Sequence, residues 1–144
     1  MDRHGATLSW VLDASATLAW AFDRADPGEQ RRATELLDRL STEEAIVPEL
    51  WHLETVNALL VAERRNVISA GRCRDFLARL SGLPIRVHAA PPDLKDRLLS
   101  LGRQFGLTAY DAAYLELALR TGSALATFDR ALAEACEKAG VASV

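Results

Sequence analysis

The chain has only two cysteines in 144 residues. Cys73 and Cys136 lie far apart with no CxxC pair, which argues against a thiolate zinc site and a disulfide framework, and both are expected to be buried free thiols. No apolar run approaches the roughly 18 residues that a membrane span requires, and Asp13 interrupts the N-terminal apolar stretch. Neither a membrane helix nor a secretory leader is expected, so the protein reads as cytoplasmic. Histidine is also scarce. His4, His52 and His88 form no HExxH, and His52-Leu-Glu54 lacks the Pro-Cys-x-x-Cys that a zinc deaminase needs. Repeats, low-complexity tracts and long linkers are absent, leaving a single domain over residues 1–144 with enough apolar content (49%) for a sizeable core.

A strong basic balance is missing too. The net charge of −3 speaks against a phosphate-rich partner, because such binding is largely electrostatic. Two features soften that objection. Fifteen of the seventeen basic residues are arginines, Arg31-Arg32 and Arg64-Arg65 among them, and arginine suits bidentate phosphate contact. Furthermore, four acids are candidates for a metal site, and without them acidic and basic side chains nearly balance.

Short apolar runs alternate with helical periodicity, which predicts an α/β fold with a parallel sheet. Five brief strands are expected, at Leu8 to Leu12, Ala45 to Val47, Ile85 to Val87, Ala124 to Ala126 and Val141 to Ser143. Between them, Ala33, Leu36, Leu37 and Leu40, then Cys73, Phe76, Leu77 and Leu80, then Leu94, Leu98, Leu101 and Phe105 recur at helical spacing. Pro48 and Pro91-Pro92 mark helix starts, while Gly106 and Gly122 mark helix stops.

Three of the four acids have an ordinary explanation. Asp13 follows the first strand at an N-cap position, Thr108-Ala-Tyr-Asp111 has capping-box spacing, and Asp129 lies in another strand-to-helix turn. Glu54 falls in the second turn of its helix, where capping cannot explain it and a solvated face is the plain alternative. As a set they say more. In a wound parallel sheet every strand-to-helix turn lies at the carboxyl edge, where such folds bind ligands, so the four should converge there. Two carboxylates about 4 Å apart repel by roughly 4 kcal/mol at an effective dielectric near 20, so a cluster either protonates or takes up a cation. Oxygen-only ligands select a hard ion, Mg²⁺ or Mn²⁺, that also accepts phosphate oxygens, and phosphodiester hydrolysis follows as the leading chemistry.

Val11-Leu-Asp13-Ala-Ser15, Pro48-Glu-Leu-Trp-His-Leu-Glu54-Thr-Val-Asn57, Leu107-Thr-Ala-Tyr-Asp111-Ala-Ala-Tyr and Leu125-Ala-Thr127-Phe-Asp129, in this order and spacing, together resemble the PIN-domain ribonucleases of the VapC toxin type. The resemblance covers the chain from about Leu8 onward. It implies a three-layer α/β/α fold around a parallel sheet of about five strands, Mg²⁺- or Mn²⁺-dependent endoribonuclease activity, homodimerisation and inhibition by a cognate antitoxin. It further implies that Asp13, Glu54 and Asp111 bind metal with Asp129 as a fourth, more variable acid, and that Ser15 and Thr127 are hydroxyl positions beside them. Asn57, one turn beyond Glu54, is a candidate supporting group. Two other readings compete. One makes Asp13 an aspartyl-phosphate nucleophile, which would call for a lysine at a later strand end, where neither Lys95 nor Lys138 falls. The other is a non-catalytic partner-binding module with an acidic docking surface.

Overall fold

A computed structural model describes residues 8–23 and 25–144. The segment before Leu8, with His4, lies outside the described residues. Four parallel strands form one sheet in the order β3-β2-β1-β4: β1 (Ser9–Leu12), β2 (Glu44–Val47), β3 (Ile85–Val87) and β4 (Ala124–Ala126). They coincide with four of the expected strands to within a residue at each end. The fifth, Val141 to Ser143, is not a strand. There the chain leaves a left-handed Gly140 and meets β4 in a single bridge, Leu125 with Ser143. One bridge beyond the turn at Gly140 does not make a ladder, so the sheet has four strands rather than about five.

Helices α1 (Ala14–Leu18) and α2 (Pro27–Arg39) connect β1 to β2, and α3 (Leu50–Arg64) and α4 (Ala70–Ser81) connect β2 to β3. Then α5 (Leu94–Phe105) and α6 (Ala109–Thr121) carry the chain back past β2 and β1 to β4, and α7 (Arg130–Ala139) follows. Crossovers between parallel strands are right-handed. Reversing direction therefore moves α5 and α6 to the face opposite α1 to α4, which makes three layers.

The periodic positions separate by depth. Ala33, Leu36 and Leu40 of the α2 stripe and Phe76 and Leu80 of the α4 stripe are buried, while Leu37 and Leu77 are exposed at its margin. α5 has no fully buried residue, because it packs on α6 rather than on the sheet. α6 is instead buried continuously from Ala112 to Ala118. Its one buried charge, Glu116, is held by Arg120 at 2.9 Å and Arg97 at 3.6 Å, as a buried carboxylate must be. Among the described residues, no helix is long and apolar enough to cross a membrane.

Both expected glycine stops are left-handed caps, Gly106 at φ 66° and Gly122 at φ 64°. Gly122→Ala should lower stability by about 1 kcal/mol, because an L side chain is strained there. Gly71→Ala should raise it by about 0.5 kcal/mol, since an added Cβ at this helical position meets nothing within 4 Å. Urea midpoints of the two variants, shifted in opposite directions, check both.

Candidate active site

After β1 the chain turns to β2 on one side, while β4 pairs with β1 on the other. The carboxyl ends of β1 and β4 are therefore the point where the winding reverses, the usual crevice of such sheets. Asp13 follows β1, and Thr127 and Asp129 follow β4.

Asp13 is only 3% exposed. Its backbone is extended (φ −88°, ψ 172°), so that its side chain caps α1, with Oδ1 accepting from the Ala16 amide at 2.8 Å. Ser15 Oγ donates to the same oxygen at 2.8 Å, and Thr127 Oγ1 donates to Oδ2. The two hydroxyls are fixed in turn. The Phe128 amide donates to Ser15 at 2.9 Å and the Asp129 amide to Thr127 at 2.9 Å. Both hydroxyl protons are thus directed at one carboxylate, an arrangement that favours its ionised form. Burial acts the other way and wins, lifting the Asp13 carboxyl from 3.8 to about 6, and the negative charge of Asp111 adds to the rise.

Asp111 lies in the first turn of α6, with its amide on the Thr108 hydroxyl at 3.1 Å, as the capping box foretold. Its half-buried carboxylate accepts no hydrogen bond from any described residue. Burial raises its pKa, and the charges of Asp129 and Glu54 raise it further. Asp129 caps α7 through Oδ2, which accepts from the Leu132 amide at 2.9 Å. Glu54 is not a solvated face residue. Tyr114, 1% exposed on α6, donates its hydroxyl proton to Glu54 Oε1 at 2.5 Å.

Asp111 is the hub of the set: its charge acts on Asp13, and the charges of Asp129 and Glu54 act on it. The acids are coupled through space rather than packed as a cage. Among the described residues, no three His, Cys, Asp or Glu side chains stand grouped to hold a metal ion as they are. Asn57 is exposed on α3 and makes no hydrogen bond to these residues. The lysines of the phosphotransfer reading stand in the first turn of α5 and the last turn of α7, away from the strand ends.

Sequence reasoning missed Tyr114. It lies three residues after Asp111, on the same face of α6, a spacing that could have marked it. Burial and the Glu54 carboxylate both hold its hydroxyl well above the usual phenol range, so it stays a donor at any ordinary pH. Tyr114→Phe should lower stability by about 1 to 3 kcal/mol, since Glu54 loses a charge-assisted bond. Thermal unfolding of the metal-free variant checks this.

The PIN domain profile matches residues 10–138. Ribonuclease VapC3 of Pyrobaculum aerophilum is 32% identical over 126 residues, which span 86% of this chain and 92% of that protein. The chain belongs to the PIN-domain family and is of the VapC type. Two solved structures share the fold. The crystal structure of PAE2754 from Pyrobaculum aerophilum aligns with a TM-score of 0.65 at 23% identity, covering 95% of this chain and 90% of that one. A toxin-antitoxin complex from Klebsiella pneumoniae aligns with a TM-score of 0.58 at 15% identity, covering 83% and 86%.

Proposed function

We propose that the chain is an endoribonuclease toxin that cuts RNA with Mg²⁺ or Mn²⁺ held by Asp13, Glu54, Asp111 and Asp129. In this reading it works in the cytoplasm as a homodimer and is restrained by a cognate antitoxin. The observation that carries the reading is Asp13, buried at the winding reversal, held by two dedicated hydroxyls and facing the charge of Asp111, which in turn feels Asp129 and Glu54. The likeness to ribonuclease VapC3 of Pyrobaculum aerophilum supports the ribonuclease part, and the likeness to the Klebsiella toxin-antitoxin complex supports the antitoxin.

The donor set fits a hard dication, because it is all oxygen and neighbouring negative charge raises the proton affinity of Asp13 and Asp111. Held by these carboxylates, such an ion would supply Lewis acidity, making water more acidic and offsetting charge on phosphate oxygens. The protein's own groups prepare the site. Ser15 and Thr127 orient Asp13 and favour its charged form, and Tyr114 fixes one oxygen of Glu54 while leaving the other available. Asp129 spends one oxygen on its helix cap and keeps the second. The half-buried Asp111, whose carboxylate accepts no hydrogen bond from a described residue, is free to turn toward the ion, and Asn57 is proposed as a supporting group one turn beyond Glu54.

Cleavage of a mixed RNA substrate with Mn²⁺, Mg²⁺ or excess chelator tests the reading. Cutting is expected with either ion and none with chelator. Equal cutting in all three, or in none, would overturn it.

A further inference from the structure

The mechanism leaves unused a buried polar chain behind the site. Thr17 lies in α1, four residues after Asp13, and is fully buried. Its hydroxyl donates to the Asp13 backbone carbonyl at 2.8 Å, and its amide donates to the same carbonyl at 3.1 Å. The hydroxyl also accepts a hydrogen bond at 2.8 Å from the indole Nε1 of Trp51, 34 residues away in the first turn of α3 and 6% exposed. Among the described residues this is the one hydrogen bond that joins α1 to α3.

Those two helices carry two of the acids. Asp13 is the N-cap residue of α1, and Glu54 stands three residues after Trp51, on neighbouring turns of one helix. A threonine bonding to the carbonyl four residues back is ordinary. Here the same oxygen is also tied to a distant helix. An apolar pair would fill this interior with less desolvation. A polar pair adds direction, because an indole has one N–H and the hydroxyl must spend its own proton on Asp13 to accept it. The remaining polar ties close a frame. Tyr114 joins α6 to Glu54, and Thr127 joins the end of β4 to Asp13. The Asp13 amide is itself fixed on the Ala126 carbonyl at 3.2 Å. The Tyr114 hydroxyl, bonded both to Glu54 and to the backbone of Ala14, ties the same two places through α6, and the Thr17–Trp51 link is the direct one between α1 and α3.

We propose that Thr17 and Trp51 are positioning residues, which through the hydrogen-bond chain Trp51 Nε1 to Thr17 Oγ1 to the Asp13 carbonyl hold the Asp13 carboxylate in register with Glu54. This rests on the reading of these acids as the working site. Groups that orient a metal-binding side chain typically change affinity or activity by about 10- to 100-fold when lost.

Four variants test it: Thr17→Val, Thr17→Ser, Trp51→Phe and the Thr17→Val/Trp51→Phe pair. Thr17→Val and Trp51→Phe should each lower kcat for RNA cleavage about tenfold while KM stays within about twofold, because substrate contacts are untouched. Thr17→Ser, which keeps the hydroxyl, should stay near wild type. The double variant should be no worse than the more impaired single, since both remove one link. Mn²⁺ affinity, measured with the metal alone, should fall in the same order. Wild-type kcat in folded Thr17→Val, or losses that multiply in the double variant, would overturn the proposal.

A second readout needs neither metal nor RNA. The Ala16 amide donates to Asp13 Oδ1, so its hydrogen exchange in the metal-free protein reports how firmly the turn is held. Exchange should quicken in Thr17→Val and Trp51→Phe but not in Thr17→Ser. Unchanged exchange in both variants would sink the positioning role even if the wild type cleaves RNA. If the wild type neither binds Mn²⁺ nor cleaves, the functional reading fails, and the exchange pattern still decides whether this chain holds Asp13.

Discussion

Asp13→Asn is expected to lower RNA cleavage by about 100-fold or more while making the metal-free protein more stable at pH 7. The first effect follows from the proposed role. Residues that merely orient a metal ligand already cost about 10- to 100-fold when removed, and a ligand should cost at least as much. The second follows from burial. The folded protein holds the Asp13 proton up to about pH 6, whereas the unfolded chain releases it near 3.8. Between those values the folded state binds more protons, so stability falls as pH rises through this window and stays lower above it. A shift of about two units corresponds to about 3 kcal/mol, and a neutral amide removes that loss at the cost of an altered hydrogen bond to Thr127 or Ser15. A net gain of about 1 to 3 kcal/mol at pH 7 should therefore disappear near pH 3.5. Thermal unfolding of both proteins across this range checks it, and a variant less stable than wild type at pH 7 would contradict the electrostatic account. A site that costs stability when empty is the usual mark of function.

Mn²⁺ affinity should fall steeply on acidification. An ion requires ionised carboxylates, so below about pH 6 the metal-free protein must release the Asp13 proton before it binds. The expected loss is about tenfold per pH unit, for one proton displaced. Thr127→Val should move the onset to higher pH. The Thr127 hydroxyl is the largest influence holding the Asp13 carboxyl down against burial, so its removal lets the value climb. Calorimetric titration between pH 5 and 8 checks both parts. An affinity that is level across this range would exclude Asp13 as the titrating ligand.

Much of the site was legible because the relevant residues sit where local rules already place acids. Asp13 and Asp129 are readable as caps from their strand-to-helix spacing and Asp111 from capping-box spacing, and all three are found at those helix starts. Capping and metal binding looked like rival explanations in the sequence. In the structure they are compatible, because a carboxylate has two oxygens and Asp129 spends only one on its helix. Glu54 has no capping role, and its partner explains its position in a way no local rule could, since Tyr114 is 60 residues away.

Sheet order was not legible. Nothing in the run from Leu8 to Leu12 says that β4 will lie beside β1 on the side away from β2, yet that choice brings Thr127 onto Asp13. The fifth strand failed for a related reason. Val141 is partly buried against the core, but Ala142 and Ser143 are exposed and the segment meets β4 in one bridge only. Ser15 and Thr127 came from the family resemblance, and their hydrogen bonds to Asp13 supply the physical reason for it. Thr17 and Trp51 are not legible as site residues, because a threonine and a tryptophan at helical positions read simply as core.

The central claim is that acids remote in the sequence share one hard cation. Titrating Mn²⁺ calorimetrically into the metal-free wild type and into Asp13→Asn, Glu54→Gln and Asp111→Asn at pH 7.5 tests it most directly. The account predicts saturable binding by the wild type and at least about tenfold weaker binding by each variant. No binding by the wild type, or equal binding by all four proteins, would contradict it.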